Sequence, residues 1–349
     1  MQKLKIKDIF NQVLNGASTG IVIGLIPSAI LGALTRSWLG TPGVLADFAG
    51  SIQAFQFAVP FLVGLFAALQ LNMKGMETAA LAGAAFLGSG AARLVDGAWA
   101  LKGTGDLINT IITVFIAAIF IKLYNNRWQS LNIVVLPLLG GILPGFIGRL
   151  ILPLVSQLTL LLGQGIAHLT EIQPLIMAIL IAIAFAIIIV TPLSSVAIAY
   201  GVSISGLAAG AANLGIVAVV FTFLYASSRV NSNGITFSLL FAGPKLFMAN
   251  YLQNLKMTLP IVINAGVVGL FGYLFNIQGT TESAGFGITG LSGPINAYYF
   301  MDGNTLVNIL VLCLTYVVVP LAISIITHQT FTRMGIYDEN IYVYHAPEH

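Results

Sequence analysis

Charge is what this sequence has least of. Only 7% of its 349 residues are Asp, Glu, Lys or Arg, against roughly 25% in an ordinary soluble domain. A water-soluble chain needs far more charge than that to cover its surface. A soluble enzyme, a nucleic-acid binder and a disordered protein are therefore excluded. The 14 basic residues are scattered and form no patch for nucleic acid. Cysteine is nearly absent as well. The single Cys313 lies inside an apolar run, which excludes an intrachain disulfide and any cysteine-based zinc or iron–sulfur centre. The chain has no Ser–His–Asp set and no Walker loop, so it is expected to carry no catalytic site of its own, no metal, no cofactor and no ATP-driven step.

What is present is apolar sequence. Hydrophobic residues make up 58% of the chain, and the mean hydropathy is +0.96. The apolar stretches are long and continuous, and do not alternate over about ten residues as barrel strands do. The expected fold class is an all-α polytopic membrane protein. Residues 1–9 are basic, but no convincing cleavage site follows them. They read as an uncleaved amphipathic stub before the first span.

Ten apolar segments can be marked: 14–35, 51–71, 76–95, 106–124, 131–147, 148–164, 174–197, 204–228, 258–278 and 304–327. Most approach the ~20 residues that a spanning helix needs. The fifth and sixth are split because an unbroken helix of their combined length would reach about 50 Å. With ten spans and a cytoplasmic N-terminus, Lys3, Lys5, Lys7, Lys74, Lys122, Arg127, Arg229, Lys245, Lys256 and Arg333 fall inside. Arg36, Arg93, Lys102 and Arg149 fall outside. That bias is the one the positive-inside rule demands, and it puts both termini in the cytoplasm. His168 and Glu171 then lie in an inner loop, 165–173, and the other histidines lie in or next to the tail.

Two stretches fit neither a span nor a simple loop. Residues 235–251 are apolar but broken by Gly243-Pro244, and residues 279–297 are too rich in Gly, Ser and Thr to face lipid. Both read as re-entrant hairpins, because non-helical backbone at membrane depth survives only where protein or a water-filled cavity surrounds it. Transporters keep their substrate sites in such places. Small-residue runs at 82–92 and 205–215 read as close helix packing.

The candidate binding residues follow from those breaks. A carboxylate at membrane depth is costly, so Glu282 reads as an acceptor for a polar substrate. Thr191-Pro192-Leu-Ser194-Ser195 breaks a strongly apolar helix, since proline removes a backbone donor. Its hydroxyls, together with Thr281, Thr289, Ser292, Asn296 and Asn213, supply neutral groups suited to a polyol.

Gly279-Thr280-Thr281-Glu282-Ser283-Ala-Gly-Phe286 resembles the Gly-Ile-Thr-Glu-Pro type motif of membrane (IIC) subunits of the sugar phosphotransferase system, with Ser283 in place of the usual proline. Thr191-Pro-Leu-Ser-Ser-Val-Ala-Ile and Gly206-Leu-Ala-Ala-Gly-Ala-Ala are similar to the divergent IIC-like branch that includes perfringolysin-regulator-like membrane proteins. The resemblance implies a IIC-like membrane domain over about residues 10–335, a cytoplasmic tail at 336–349, a homodimer and an elevator-type transport domain. It also implies that Glu282 contacts the solute. Neither a IIA nor a IIB domain is read in the chain. The expected function is secondary-type transport of a small polar solute (sugar, polyol or small organic anion) across the plasma membrane by alternating access. The alternatives are a phosphotransferase permease served by separate IIA and IIB chains, and a membrane sensor that keeps the binding site.

Overall fold

A computed structural model of the chain describes residues 6–35, 42–101, 103–124, 129–281 and 283–344. It bears out the all-α class. The helical runs are α1 (Ile6–Thr35), α2 (Val44–Gln70), α3 (Gly75–Ser89), α4 (Leu107–Tyr124), α5 (Asn132–Leu169), α6 (Pro174–Ile189), α7 (Ser195–Val202), α8 (Gly206–Val230), α9 (Asn233–Ala242), α10 (Met248–Gln253), α11 (Leu255–Leu274), α12 (Ser292–Tyr299) and α13 (Thr305–Arg333). Among the described residues six runs are long and apolar enough to cross a bilayer: α2, α4, α5, α8, α11 and α13. The chain divides into two compact units, the first mostly residues 1–158 and the second mostly residues 159–344.

In the first unit the helices approach through glycine. Gly16, Gly20 and Gly24 recur every fourth residue on α1, and a Cβ at any of them would run into α2 at Ala67, Leu62 or Val59. The order of those partners makes the two helices antiparallel. Gly64 sets α2 against Ala82 of α3 in the same way. Asn109 of α4, fully buried, donates its amide to the carbonyls of Gly88 (2.6 Å) and Gly148 (2.8 Å), tying α3, α4 and α5 together. This is the close packing expected of the small-residue run at 82–92.

Two features of the first unit depart from the sequence reading. The third apolar segment, 76–95, stops being helical at Ser89, where Gly90 takes a left-handed conformation. The chain then forms an antiparallel hairpin, β1 (Ala92–Val95) with β2 (Ala98–Leu101), turning on Asp96-Gly97, both at positive φ. Asp-Gly is the dipeptide that such two-residue turns favour. Arg149 is held by this hairpin: it donates to the Ala92 carbonyl and lies 5.9 Å from the centre of the Trp99 ring. The second departure is the split of 131–147 from 148–164. Residues 132–169 form one helical run of 38 residues, about 57 Å long at 1.5 Å per residue. Pro137, Gly140 and Gly141 fall in a stretch of π-helix at Leu136–Ile142, and the α-helix that follows runs on through Pro144, Gly145, Gly148 and Pro153.

The second unit is built on α6, α8 and α11. α8 is its axis, buried over most of its length from Ala208 to Ser227. Gly215 of α8 sits on the Ala182 carbonyl of α6, and Gly269 of α11 sits on Ala178 of α6. Gly210 near the start of α8 meets Ile277, just past the end of α11, while Asn264 earlier in α11 bonds Ala218 later in α8. Thus α11 runs antiparallel to α8. It also runs antiparallel to α6, since Gly266 faces Ile183 and Gly269 faces Ala178. Helices α6 and α8 are therefore parallel, and the chain between them, α7 included, has to double back. α13 runs parallel to α8: Ser324 and Gln329 bond Thr222 and Tyr225 in the same order.

A polar node locks these helices. The Asn264 amide nitrogen lies 2.9–3.1 Å from the Ala218 and Pro320 carbonyls and the Thr222 and Ser324 hydroxyls. The tail is also part of this unit as far as Tyr344. Asn250 donates to the carbonyls of Ile341 and Val343, and Asn231 to that of Tyr342. Tyr342 is fully buried among aromatic side chains that include Phe223 and Tyr337.

Candidate functional site

The three helix breaks marked in the sequence lie together in the second unit. The first is 190–194, between α6 and α7. Pro192 has no N–H for the Ile188 carbonyl, and Thr191 satisfies that carbonyl instead, through its backbone N–H (3.0 Å) and its hydroxyl (2.7 Å). Ser194 then caps α7 by accepting from the Ala197 N–H at 3.1 Å. The second break is Gly243, at φ 75°, which ends α9; a 3-10 turn over Pro244–Phe247 leads into α10. The third is 279–291, where Gly287, Gly290 and Leu291 all take positive φ. For leucine that conformation is strained.

Side-chain hydrogen bonds to backbone carbonyls join the breaks. Ser195, buried, donates to the Gly285 carbonyl at 2.9 Å. Asn213, on α8, donates to the Ser283 carbonyl at 2.7 Å. Thr281 donates to the Ile204 carbonyl at 2.8 Å, and the backbones of Gly206 and Gly279 pair. Thr289 is buried with its hydroxyl against Gly243, where a Cβ would lie 3.3 Å from it, so the second and third breaks touch. Asn296 accepts from Thr280 (3.0 Å) and donates to the carbonyl of Ser292, itself buried (2.9 Å). Glu282 lies outside the described residues; its neighbours Thr281 and Ser283 are both fixed in this network.

Those of the residues expected from sequence to bind solute that are described are thus brought to one place, and many of them hold the breaks in shape. A hydroxyl that donates one bond still has lone pairs for a ligand, so framing and binding are compatible. Sequence reasoning missed Lys245 as a member of the group and counted it only as an inner charge. It is buried, and its ammonium donates to the carbonyls of Thr191 at 2.7 Å and Leu193 at 2.8 Å. The signal was available: a lysine directly after Gly-Pro in an otherwise apolar stretch.

The sequence profile of the family described as Phosphotransferase system, EIIC matches residues 11–344. The chain belongs to this EIIC family. No curated protein and no solved structure matches it significantly. The EIIC chain is accordingly a multi-pass membrane protein and a sugar-type transport component. Its family match runs through both units and through the tail as far as Tyr344, which fits the packing of that tail on α8.

Proposed function

We propose that this EIIC chain carries a small polar solute across the plasma membrane by alternating access, with the second unit as the transport body. The solute would lie where the breaks at 190–194, 243–247 and 279–296 meet. Glu282 would accept hydrogen bonds from its hydroxyls, and Thr281, Thr289, Ser292, Asn296, Thr191, Ser194, Ser195 and Asn213 would frame or line the site. The observation that carries this reading is the convergence of three non-helical segments on one region of α8, since such segments need protein or a water-filled cavity around them and form transporter sites. The first unit, with its glycine-packed helices, is the dimerising scaffold of a homodimer.

The proposed orientation keeps both termini in the cytoplasm. Treating α5 as one crossing removes a span, and treating α6–α7 as re-entrant removes another. The two changes cancel in parity, so Arg229, Lys245, Lys256 and Arg333 stay inside with Lys74, Lys122 and the N-terminal lysines, as charge bias favours. The loop 165–173 moves to the outside.

A second reading has support from the family match: a phosphotransferase permease that hands its sugar to separate IIA and IIB chains. Proteoliposomes separate the two. Uptake of unmodified solute by the chain alone supports the secondary-type transporter. Uptake of solute recovered as its phosphate, only when phosphorylated IIB is supplied, supports the permease. A thermal-shift screen against sugars, polyols and small organic acids identifies the solute first, because a ligand at a hundred times its Kd stabilises by about 2.7 kcal/mol.

A further inference from the structure

The hairpin β1–β2 of the first unit gathers its bulky apolar side chains on one face. Its register pairs Leu94 with Trp99 and Ala92 with Leu101, and side chains alternate along each strand. Leu94, Trp99 and Leu101 therefore share a face, and they are 50–69% exposed. Arg149 of α5 stands at that face, its guanidinium by the Trp99 ring and donating to the Ala92 carbonyl at 3.1 Å. Arg93, on the opposite face, donates through Nε to the Gly90 carbonyl at 3.0 Å. Among the described residues neither arginine is paired with a carboxylate.

Helix length sets the depth of this hairpin. α3 has 15 residues, about 22 Å at 1.5 Å per residue, and falls short of the ~30 Å of hydrocarbon to be crossed. β1 extends the chain by about 13 Å, so the hairpin comes at the edge of the hydrocarbon, on the outer side in the orientation proposed above. Its backbone bars it from lying deeper. A two-stranded ribbon leaves N–H and C=O groups unpaired along both edges, and these need water or headgroups. Tryptophan is enriched at that level of a bilayer, and the planar fork of arginine matches phosphate.

We propose that this hairpin is an interfacial lipid anchor: Leu94, Trp99 and Leu101 bed in the outer leaflet, and Arg149, beside Trp99, holds the phosphate of a phospholipid. The anchor makes up the length that α3 lacks. Its occupant is lipid and not a second copy of the chain. Strands of four residues offer far less than the roughly 800 Å² that a stable protein interface takes from each partner, whereas an apolar face beside an arginine without a carboxylate complements acyl chains lying under a phosphate. The inference stands on the first unit alone and does not depend on the solute site.

The test uses the full chain in nanodiscs with Trp38→Phe and Trp128→Phe, which leave Trp99 as the single tryptophan. Its fluorescence is read against phosphatidylglycerol brominated at either end of the acyl chain. Bromine next to the headgroup should quench Trp99 most, and bromine next to the terminal methyl least. No quenching by either lipid overturns the proposal, whether water or a second copy covers the face, and so does strongest quenching at the methyl end. The phosphate is tested in maltoside micelles. Brominated phosphatidylglycerol should reach half-maximal quenching at a mole fraction roughly tenfold lower than brominated diacylglycerol with the same chains. Arg149→Gln should erase that preference. A preference that survives Arg149→Gln, or none before the substitution, overturns the role of Arg149. If the single-tryptophan protein does not fold, Leu94→Cys with Cys313→Ser carries a spin label to the same face. Access of oxygen above that of an aqueous nickel chelate supports the anchor, and the reverse overturns it.

Discussion

The Ser195 hydroxyl donates to the Gly285 carbonyl at 2.9 Å, joining residues 90 apart in sequence. One bond therefore fixes the return segment after α6 against the Gly-rich stretch that precedes α12. Ser195→Ala leaves a buried carbonyl without its donor, which costs about 1–3 kcal/mol. Tm should drop by several degrees, and solute affinity should fall with it. Ser195→Ala with wild-type Tm and wild-type affinity would remove this bond from the frame of the site.

Glu282 tests the solute reading directly. Glu282→Gln keeps size but removes the charge and turns one of the two acceptor oxygens into a donor NH2. Hydrogen bonds to a charged group contribute about 1.5–3 kcal/mol, so affinity per folded molecule should fall roughly 10- to 150-fold. If Tm without ligand falls instead and affinity is unchanged, the carboxylate holds the segment together, and Thr289, Ser292 and Ser194 become the better ligands.

Orientation is checked by cysteine labelling in the background of Cys313→Ser. Cysteines at Asn126 and Asn231 should resist an impermeant thiol reagent added to intact cells, and a cysteine at Lys102 should react. The deciding position is Glu171. With α5 as one crossing it is outside and Glu171→Cys should label; protection there would restore the ten-span arrangement.

In the first unit, Asn109→Leu removes the amide that bridges the Gly88 and Gly148 carbonyls. Two buried acceptors lose their donor, at about 1–3 kcal/mol each. Tm should fall more than for Ser195→Ala. Solute affinity per folded molecule should not change, because this clamp belongs to the first unit.

The tail gives a pH dependence. Burial raises the phenols of Tyr337 and Tyr342 above their ordinary value, about 10. A raised folded value stabilises the packed tail fully below about pH 10, and that stabilisation is lost as pH rises through the folded values. Absorbance of tyrosinate should therefore appear late for these residues, together with protease access to 335–344. Tyr342→Phe should move the release midpoint. A tail cleaved equally at neutral and alkaline pH would contradict the packing.

The sequence by itself determined the class of the protein and where its helices break. Low charge and long apolar runs dictate a helical membrane protein because every backbone group in lipid needs an internal partner. Gly243-Pro244, Thr191-Pro192 and the Gly-rich stretch at 279–297 announced themselves because proline and clustered glycine cannot continue a helix. The Asp96-Gly97 turn, just past the apolar segment 76–95, was equally legible. Tertiary structure decided the rest. The glycines of 136–148 look like breaks, yet α5 continues through them, since Gly145 and Gly148 are there to admit Leu87 and Thr113 from neighbouring helices. The direction of α7 was invisible, because a reversal depends on which helices α6 packs against and not on its own hydropathy. The part played by Lys245 was invisible for the same reason. Two of its partners are backbone carbonyls more than 50 residues away, and a carbonyl has no letter in the sequence.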